Sequence, residues 1–287
     1  MSDTHVDSGS EQSTPVERNG HAVGVQQGDG IRWEFHRYGP GPAGSHPRHA
    51  HGTYQIGYSP DFDGEYWYRG EHVPVPQGHL HVLHPGEVHA PRDPRARPQP
   101  VRFPTVFVDP VLVQRAARDL GASTPSRPFF PPVIADPALT ALFLSLVASV
   151  GAPDDALRRT SLERTFLARL VERHGGGGPA DLGSEHDAVK RVREYVHAHF
   201  QRLLTLEELG EVAGLNPYYL SRVFREEIGM PPYQYVTQLR VQAAANRLAR
   251  GDDIAAVAFD TGFADQSHLT RHFKRIMGVT PGQYRPS

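Results

Sequence analysis

Apolar residues recur along this chain at two different periods, and the change of period divides it. Up to residue 108 they fall in short β-prone runs at 31–37, 54–58, 65–69, 80–83 and 101–108. Clusters of Gly, Pro, Asp and His separate the runs, which is the punctuation of a small sandwich or barrel. From residue 109 the spacing turns helical. Asp109-Pro110 and Asp136-Pro137 each set a capping side chain before a proline at the first helical position. The second pair opens PALTALFLSLVASV, and over 161–173 Leu162, Phe166, Leu167 and Leu170 make one stripe. These helices are expected to pack on the barrel, with some apolar face left for a second subunit.

Two stretches break the pattern. Residues 1–28 hold few large apolar groups and too little buriable surface to offset ordering entropy, so they are expected to be disordered. Four glycines follow His174, ending a helix and making a flexible tether. The expected organisation is a tail at 1–28, a β-barrel with appended helices at 29–173, a Gly-rich linker at 174–184 and an all-α domain at 185–287. The fold class is therefore α+β and multidomain.

The C-terminal segment repeats itself. Gly214 corresponds to Gly262 at an offset of 48, and Leu220, Arg222, Phe224, Gly229, Pro232 and Tyr235 recur 49 residues on as Leu269, Arg271, Phe273, Gly278, Pro281 and Tyr284. Each copy reads as a helix, a glycine turn and a second helix, the layout of a helix-turn-helix DNA reader. Thr205 and Glu208 have capping-box spacing, Leu206, Leu209 and Val212 face inward, and Asn216-Pro217 opens the second helix. At 100° per residue, Leu220, Val223, Phe224 and Glu227 share one side, and Tyr218, Arg222 and Arg225 the other, with Ser221 at its edge. In the second copy the core side is Leu269, His272, Phe273 and Ile276. The outer side is Ser267, Arg271 and Lys274, edged by Thr270. Arg222 and Arg271 suit base reading beside Tyr218, Ser221, Gln266, Ser267 and Thr270, while Arg225, Lys274 and Arg275 suit phosphate. Between the copies, a strong helix former at 233–249 would span roughly 25 Å, a strut suited to two adjacent major grooves.

Composition narrows the options. The chain has 287 residues, 38% of them hydrophobic and none cysteine, which excludes disulfides and thiolate chemistry. No apolar run approaches the ~18 residues of a membrane span, and residues 1–20 lack a secretory pattern, so a cytoplasmic protein is expected. Residues 185–287 carry 13 Lys+Arg against 12 Asp+Glu, a balance of +1. DNA binding must therefore rest on where the cations sit rather than on bulk charge.

Histidines cluster between residues 46 and 89. His49 and His51 share a face if their segment is extended, and a loop after Pro85-Gly86 could bring in His89. Together with Tyr54 and Gln55 they are the candidate effector pocket, suited to a small amphipathic or polar molecule. His46, His79, His81 and His84 are read as surface or strand residues. The same His49, His51 and His89 could instead hold a transition metal.

Residues 185–287 resemble the DNA-binding domain of the AraC/XylS family of regulators. The likeness rests on Ala213-Gly214, Leu220 to Phe224, Gly229, Leu239-Arg240 to Leu248, Ile254 with Ala258, Gly262-Phe263, and Ser267 to Arg285. It implies seven helices, two reader motifs and a sensor domain ahead of them. His268 stands where the family commonly has an aromatic residue. The histidine strings resemble the two motifs of the cupin barrel, the usual sensor in this family. Metal-binding cupins place a glutamate where Gln55 stands, and a neutral amide is the poorer ligand. The resemblance implies a DNA-binding transcription regulator, not an enzyme, with double-stranded DNA and a small-molecule effector as partners and no required cofactor. RNA polymerase and a second copy of the chain stay open as further partners. A metal-sensing regulator and a metal-dependent cupin enzyme are the alternatives.

Overall fold

The computed structural model describes residues 21–121, 128–150, 156–176 and 187–286. Its N-terminal part is built from strands β1 (His21–Gly28), β2 (Ile31–Tyr38), β3 (Gly44–Ser45), β4 (Tyr54–Tyr58) and β5 (Gly64–Tyr68), followed by β6 (Glu71–Val75), β7 (Leu80–Leu83), β8 (His89–Asp93) and β9 (Val101–Val108). Helix α1 (Pro110–Asp119), the short β10 (Val133–Ile134) and helices α2 (Pro137–Ser149) and α3 (Ala156–His174) complete it. Hydrogen bonding divides the strands into two antiparallel sheets, one ordered β1-β2-β9-β4-β7-β10 and the other β3-β8-β5-β6. The barrel expected from the sequence is thus two sheets around a common interior, with the appended helices also as expected.

Residues 21–28, expected to belong to a disordered tail, form β1. Its side chains are too polar to order the segment alone. It is held by its full-length pairing with β2 and by Val23, which is buried in the core of the C-terminal domain. Residues 1–20 and 177–186, which include most of the linker expected at 174–184, lie outside the described residues.

Strand alternation sorts the large sheet into two faces. Ile31 and Trp33 of β2, Tyr54 and Ile56 of β4, and Val106 and Val108 of β9 pack against Phe143 of α2 and Phe166 and Leu170 of α3. The intervening residues Glu34, His36, Tyr38, Gln55, Thr105 and Phe107 face the interior between the sheets. Asp109 and Asp136 cap α1 and α2 as their sequence predicts, accepting from the backbone N–H of Val111 and of Ala138 and Leu139.

The described C-terminal residues form seven helices: α4 (Asp187–His199), α5 (Leu206–Ala213), α6 (Pro217–Ile228), α7 (Pro232–Leu248), α8 (Ile254–Asp260), α9 (Gln266–Met277) and α10 (Pro281–Tyr284). Phe224 and Phe273, equivalent at the offset of 49, are both fully buried. Removal of each ring from water contributes on the order of 1.5–3 kcal/mol. The sensor enters both reader cores: Ala50 and Val88 join the core around α4–α7, and Val23 joins that around α7–α10.

Gly57 shows how tightly the interior is filled. A Cβ there would lie 2.3 Å from the ring of His81, itself buried. Gly57→Ala is expected to cost about 1–3 kcal/mol through overpacking. An unchanged denaturant midpoint would contradict this packing.

Candidate nucleic-acid interface and sensor cavity

Local chemistry builds the two readers alike. In the first, the Thr205 hydroxyl accepts from the Glu208 N–H at 3.2 Å, α5 ends on Gly214 at φ 66°, and Asn216 caps α6 by accepting from Tyr218 N–H at 2.9 Å. The reciprocal half of the capping box does not form. The Glu208 carboxylate is taken by Arg202 and by the Tyr195 hydroxyl at 2.7 Å. Leu206 is 37% exposed, and Leu209, Gly210 and Ala213 form the inner face of α5; on α6, Glu227, expected on the core side, is exposed. Gly210 is needed there, because a Cβ would come 2.9 Å from the Leu215 carbonyl and 3.3 Å from Pro217. In the second reader, Asp253 caps α8 and Asp265 caps α9. His268 packs edge-on to Phe263 at 5.4 Å, so an imidazole fills the aromatic position.

The outward stripes lie where periodicity puts them. Tyr218, Arg222 and Arg225 on α6 are exposed, and so are Gln266, Ser267, Arg271, Lys274 and Arg275 on α9, with Ser221 and Thr270 half-buried at the edges. Each set lines its own shallow hollow. The two surfaces differ in charge. On α6, Arg222 and Arg225 are balanced by Glu226 and Glu227, and Arg222 lies 3.9 Å from Glu226 and over the Tyr219 ring. On α9, Arg271, Lys274 and Arg275 face no acidic residue of the same helix. Net helix charge is therefore 0 on α6 and +3 on α9, with histidine neutral. This asymmetry was present in the sequence but hidden by the overall balance of +1.

A cavity of about 140 Å³ lies between the sheets. Of the five candidate pocket residues, His49, His51 and Gln55 line it. Tyr54 does not, because β4 alternation turns it into the helix-facing core, where its hydroxyl donates to the Pro128 carbonyl at 3.0 Å. His89 is not among the lining residues either. It is fully buried, its ring 4.3 Å from His49 and 4.8 Å from His51. Sequence reasoning missed Glu34, His36 and Tyr38, whose period of two in IRWEFHRY was the available signal. His46, read as a surface or strand residue, is exposed and also lines the cavity. His81 on β7 and His84 just after that strand are buried, at 2% and 6% exposure.

The most consequential omission is that the C-terminal domain closes this cavity. Gln242 of α7 and Ile276, Met277 and Gly278 at the end of α9 stand in its wall. Alongside runs a buried polar junction. Glu34 accepts from Arg32 Nε at 3.1 Å, from His36 Nε2 at 2.9 Å and from the Tyr284 hydroxyl of α10. Arg32 also donates to Asn246 and, at 3.4 Å, to Gln242. Burial pushes the Glu34 carboxyl up, but Arg32 and the bonds from His36 and Tyr284 outweigh it and hold it down at about 2. Because the carboxylate only accepts, His36 Nε2 carries the proton. The other ring nitrogen of His36, Nδ1, is hydrogen-bonded to His21 Nε2 at 3.2 Å.

The three imidazoles are oriented by the backbone. Their Nδ1 atoms are engaged by carbonyls two residues away: His49 on Pro47 at 3.0 Å, His51 on Thr53 at 2.8 Å, His89 on Glu87 at 3.0 Å. His51 Nε2 is spent on the Gln55 side chain at 2.8 Å. Among the described residues no group of three or more His, Asp or Glu is arranged to hold a metal ion. Nor is any described helix long and apolar enough to cross a membrane.

This architecture matches known proteins. Residues 34–166 match the family described as AraC-like ligand binding domain, and residues 209–287 match the family described as helix-turn-helix domain. The chain is 29% identical over 230 residues to the uncharacterized HTH-type transcriptional regulator YbfI of Bacillus subtilis, covering 78% of this chain and 81% of that protein. It is 30% identical over 111 residues to the HTH-type transcriptional regulator GlxA of Rhizobium meliloti, covering 38% of this chain and 34% of that protein. Apo ToxT from Vibrio cholerae superposes with a TM-score of 0.63 at 11% identity, covering 90% of this chain and 98% of the other, which shows a common fold. Fold and matches together define a two-domain transcription regulator, with a ligand-binding domain ahead of paired helix-turn-helix units. The chain belongs to the AraC family of transcription regulators. The relatives are named as regulators rather than enzymes, so the enzyme alternative has no support among them.

The buried histidines make stability depend on pH. Burial lowers His51, His81 and His84 from 6.5 to about 4, helped at His51 by nearby His49. The fold thus favours their neutral forms, while the unfolded chain takes up protons below about 6.5. Stability present above pH 6.5 is lost as pH falls toward 4, by up to ~1.4 kcal/mol per pH unit for each residue. The melting temperature should therefore drop between pH 7.5 and 5.5. No drop, or a rise, would show that these rings are not held neutral.

Proposed function

We propose that α6 and α9 enter adjacent major-groove segments of a promoter duplex, with Arg222 and Arg271 reading base edges and Arg225, Lys274 and Arg275 holding phosphates. The carrying observation is the pair of exposed, equivalent stripes on two helices joined by α7, whose 17 residues span roughly 25 Å. The effector occupies the cavity lined by His49, His51 and Gln55. Its presence reaches DNA through differential affinity for two arrangements of sensor and reader. The contact that would carry the signal is the Glu34–Tyr284 junction, because Glu34 lines the cavity and also binds α10. ToxT has been solved bound to an unsaturated fatty acid, which supports an effector-binding role for the domain. Such a protein works in the cytoplasm, where the promoter is.

A second copy of the chain would dock on α2 and α3, where Leu144 is 40% and Leu157 84% exposed. Sedimentation that stays monomeric at high micromolar concentration, with and without operator DNA, would remove this surface from the account.

Two substitutions test the DNA assignment. Arg271→Ala should weaken binding to the preferred site by ~1–3 kcal/mol and relax preference at one base position. An equal loss on random-sequence DNA would assign Arg271 to the backbone instead. Arg225→Ala should weaken all duplexes alike and make the log-affinity against log-salt slope shallower by ~0.9. A change in sequence preference would mean that its role is misassigned.

A further inference from the structure

Charge and shape at the sensor cavity narrow what it can hold, and this step rests on reading the cavity as the effector site. Three carboxylates and two guanidinium groups stand in its wall, and each is already committed. Glu34 is held by Arg32, His36 and Tyr284. Glu65 is held by Arg92 at 2.9 Å and His72 at 2.6 Å, and Asp93 by Arg97. A ligand bearing a carboxylate or an ammonium would have to compete with the buried pairs at Glu34 and Asp93 or lie unpaired beside them. Both are costly.

The rest of the wall is mostly aromatic. Nine of the lining residues carry aromatic rings, among them His21, His36, Tyr38, His49, Tyr66 and Phe107. They are already stacked in part, with His21 on Tyr38 at 4.2 Å and 6° between planes. Burial holds His51 neutral at neutral pH, and burial with nearby His36 does the same for His21, so these rings face a ligand uncharged. Among the described residues the Tyr38 hydroxyl has no hydrogen-bond partner, and the bond described for the His49 ring uses its Nδ1. The cavity volume of about 140 Å³ is comparable to an apolar protein cavity of ~150 Å³ that admits benzene.

We propose that the cavity takes a small uncharged ring compound bearing one hydroxyl or amide, stacked among these rings, in preference to a carboxylate or an amine of the same size. The Tyr38 hydroxyl hydrogen-bonds the polar substituent. The ligand also touches the end of α9, so the second reader senses its presence directly.

The test is calorimetric titration of the full chain at pH 7.5 with benzyl alcohol, benzoate and benzylamine, which share a ring and differ in charge. Benzyl alcohol should bind at least ~10-fold more tightly than either ion. Benzoate should gain on lowering the pH to 5.5, where proton uptake by a cavity histidine offsets its charge. Tyr38→Phe should weaken benzyl alcohol several-fold, and Thr105→Trp should abolish its binding while the variant still melts cooperatively. If Thr105→Trp does not fold, the Tyr38→Phe result decides on its own. Benzoate or benzylamine binding as tightly as the alcohol at pH 7.5, or no binding by any of the three, overturns the uncharged-ring assignment. Mass spectrometry of small molecules released on denaturing the purified chain then separates the two readings. A released ion that Thr105→Trp does not retain keeps the effector site and discards only the class. Alcohol binding that survives Thr105→Trp discards the site as well.

Discussion

One buried carboxylate ties the two halves of this regulator together. Glu34 is 1% exposed, and a charge so placed is tolerable only when every lone pair is answered. Two of its partners, Arg32 and His36, come from its own strand. The third, Tyr284, comes from the last helix of the DNA-binding domain. Moving the domains apart would leave Glu34 short of a donor and Tyr284 without its acceptor. The arrangement of sensor and reader is therefore fixed by a specific buried contact rather than by loose association.

The sensor also meets both recognition helices at the same place. Gly229 and Gly278 are equivalent C-terminal caps of α6 and α9, with φ of 83° and 78°. Both stand against a sensor ring. A Cβ on Gly229 would lie 3.1 Å from Trp67, whose face carries the Arg48 guanidinium at 3.7 Å, and a Cβ on Gly278 would lie 2.9 Å from His21. Glycine is thus required twice at each cap, for the left-handed backbone and for the close approach. The two contacts are not equal in consequence. The one at Gly278 borders the cavity and belongs to the helix of charge +3, whereas the one at Gly229 belongs to a helix of net charge 0. Positive charge is concentrated on the reader that the cavity touches.

Much of the fold was legible because it is local. The strand and helix periods, the aspartate caps of α1 and α2, the Gly214 turn and the Asn216 cap each depend on residues within a few positions of one another. The outward stripes of α6 and α9 were legible for the same reason, since helical geometry alone fixes which residues share a side. Where the reading failed, a distant competitor had intervened. Glu208 caps nothing because Arg202 and Tyr195 hold it. The segment 21–28 is ordered because β2 and the second reader supply the apolar contacts it lacks. Tyr54 and Gln55 were both assigned to the pocket although adjacent strand residues point to opposite faces.

By itself the chain determined the elements, their caps, the repeated reader and the family to which it belongs, since all of these follow from spacing along the backbone. Tertiary structure decided which face of β2 and β4 is interior, which histidines share a cavity, and that the end of α9 closes it. Glu34 and Tyr284 lie 250 residues apart. No local rule links two positions at that separation; only the packing of one completed domain on the other brings them within hydrogen-bonding distance.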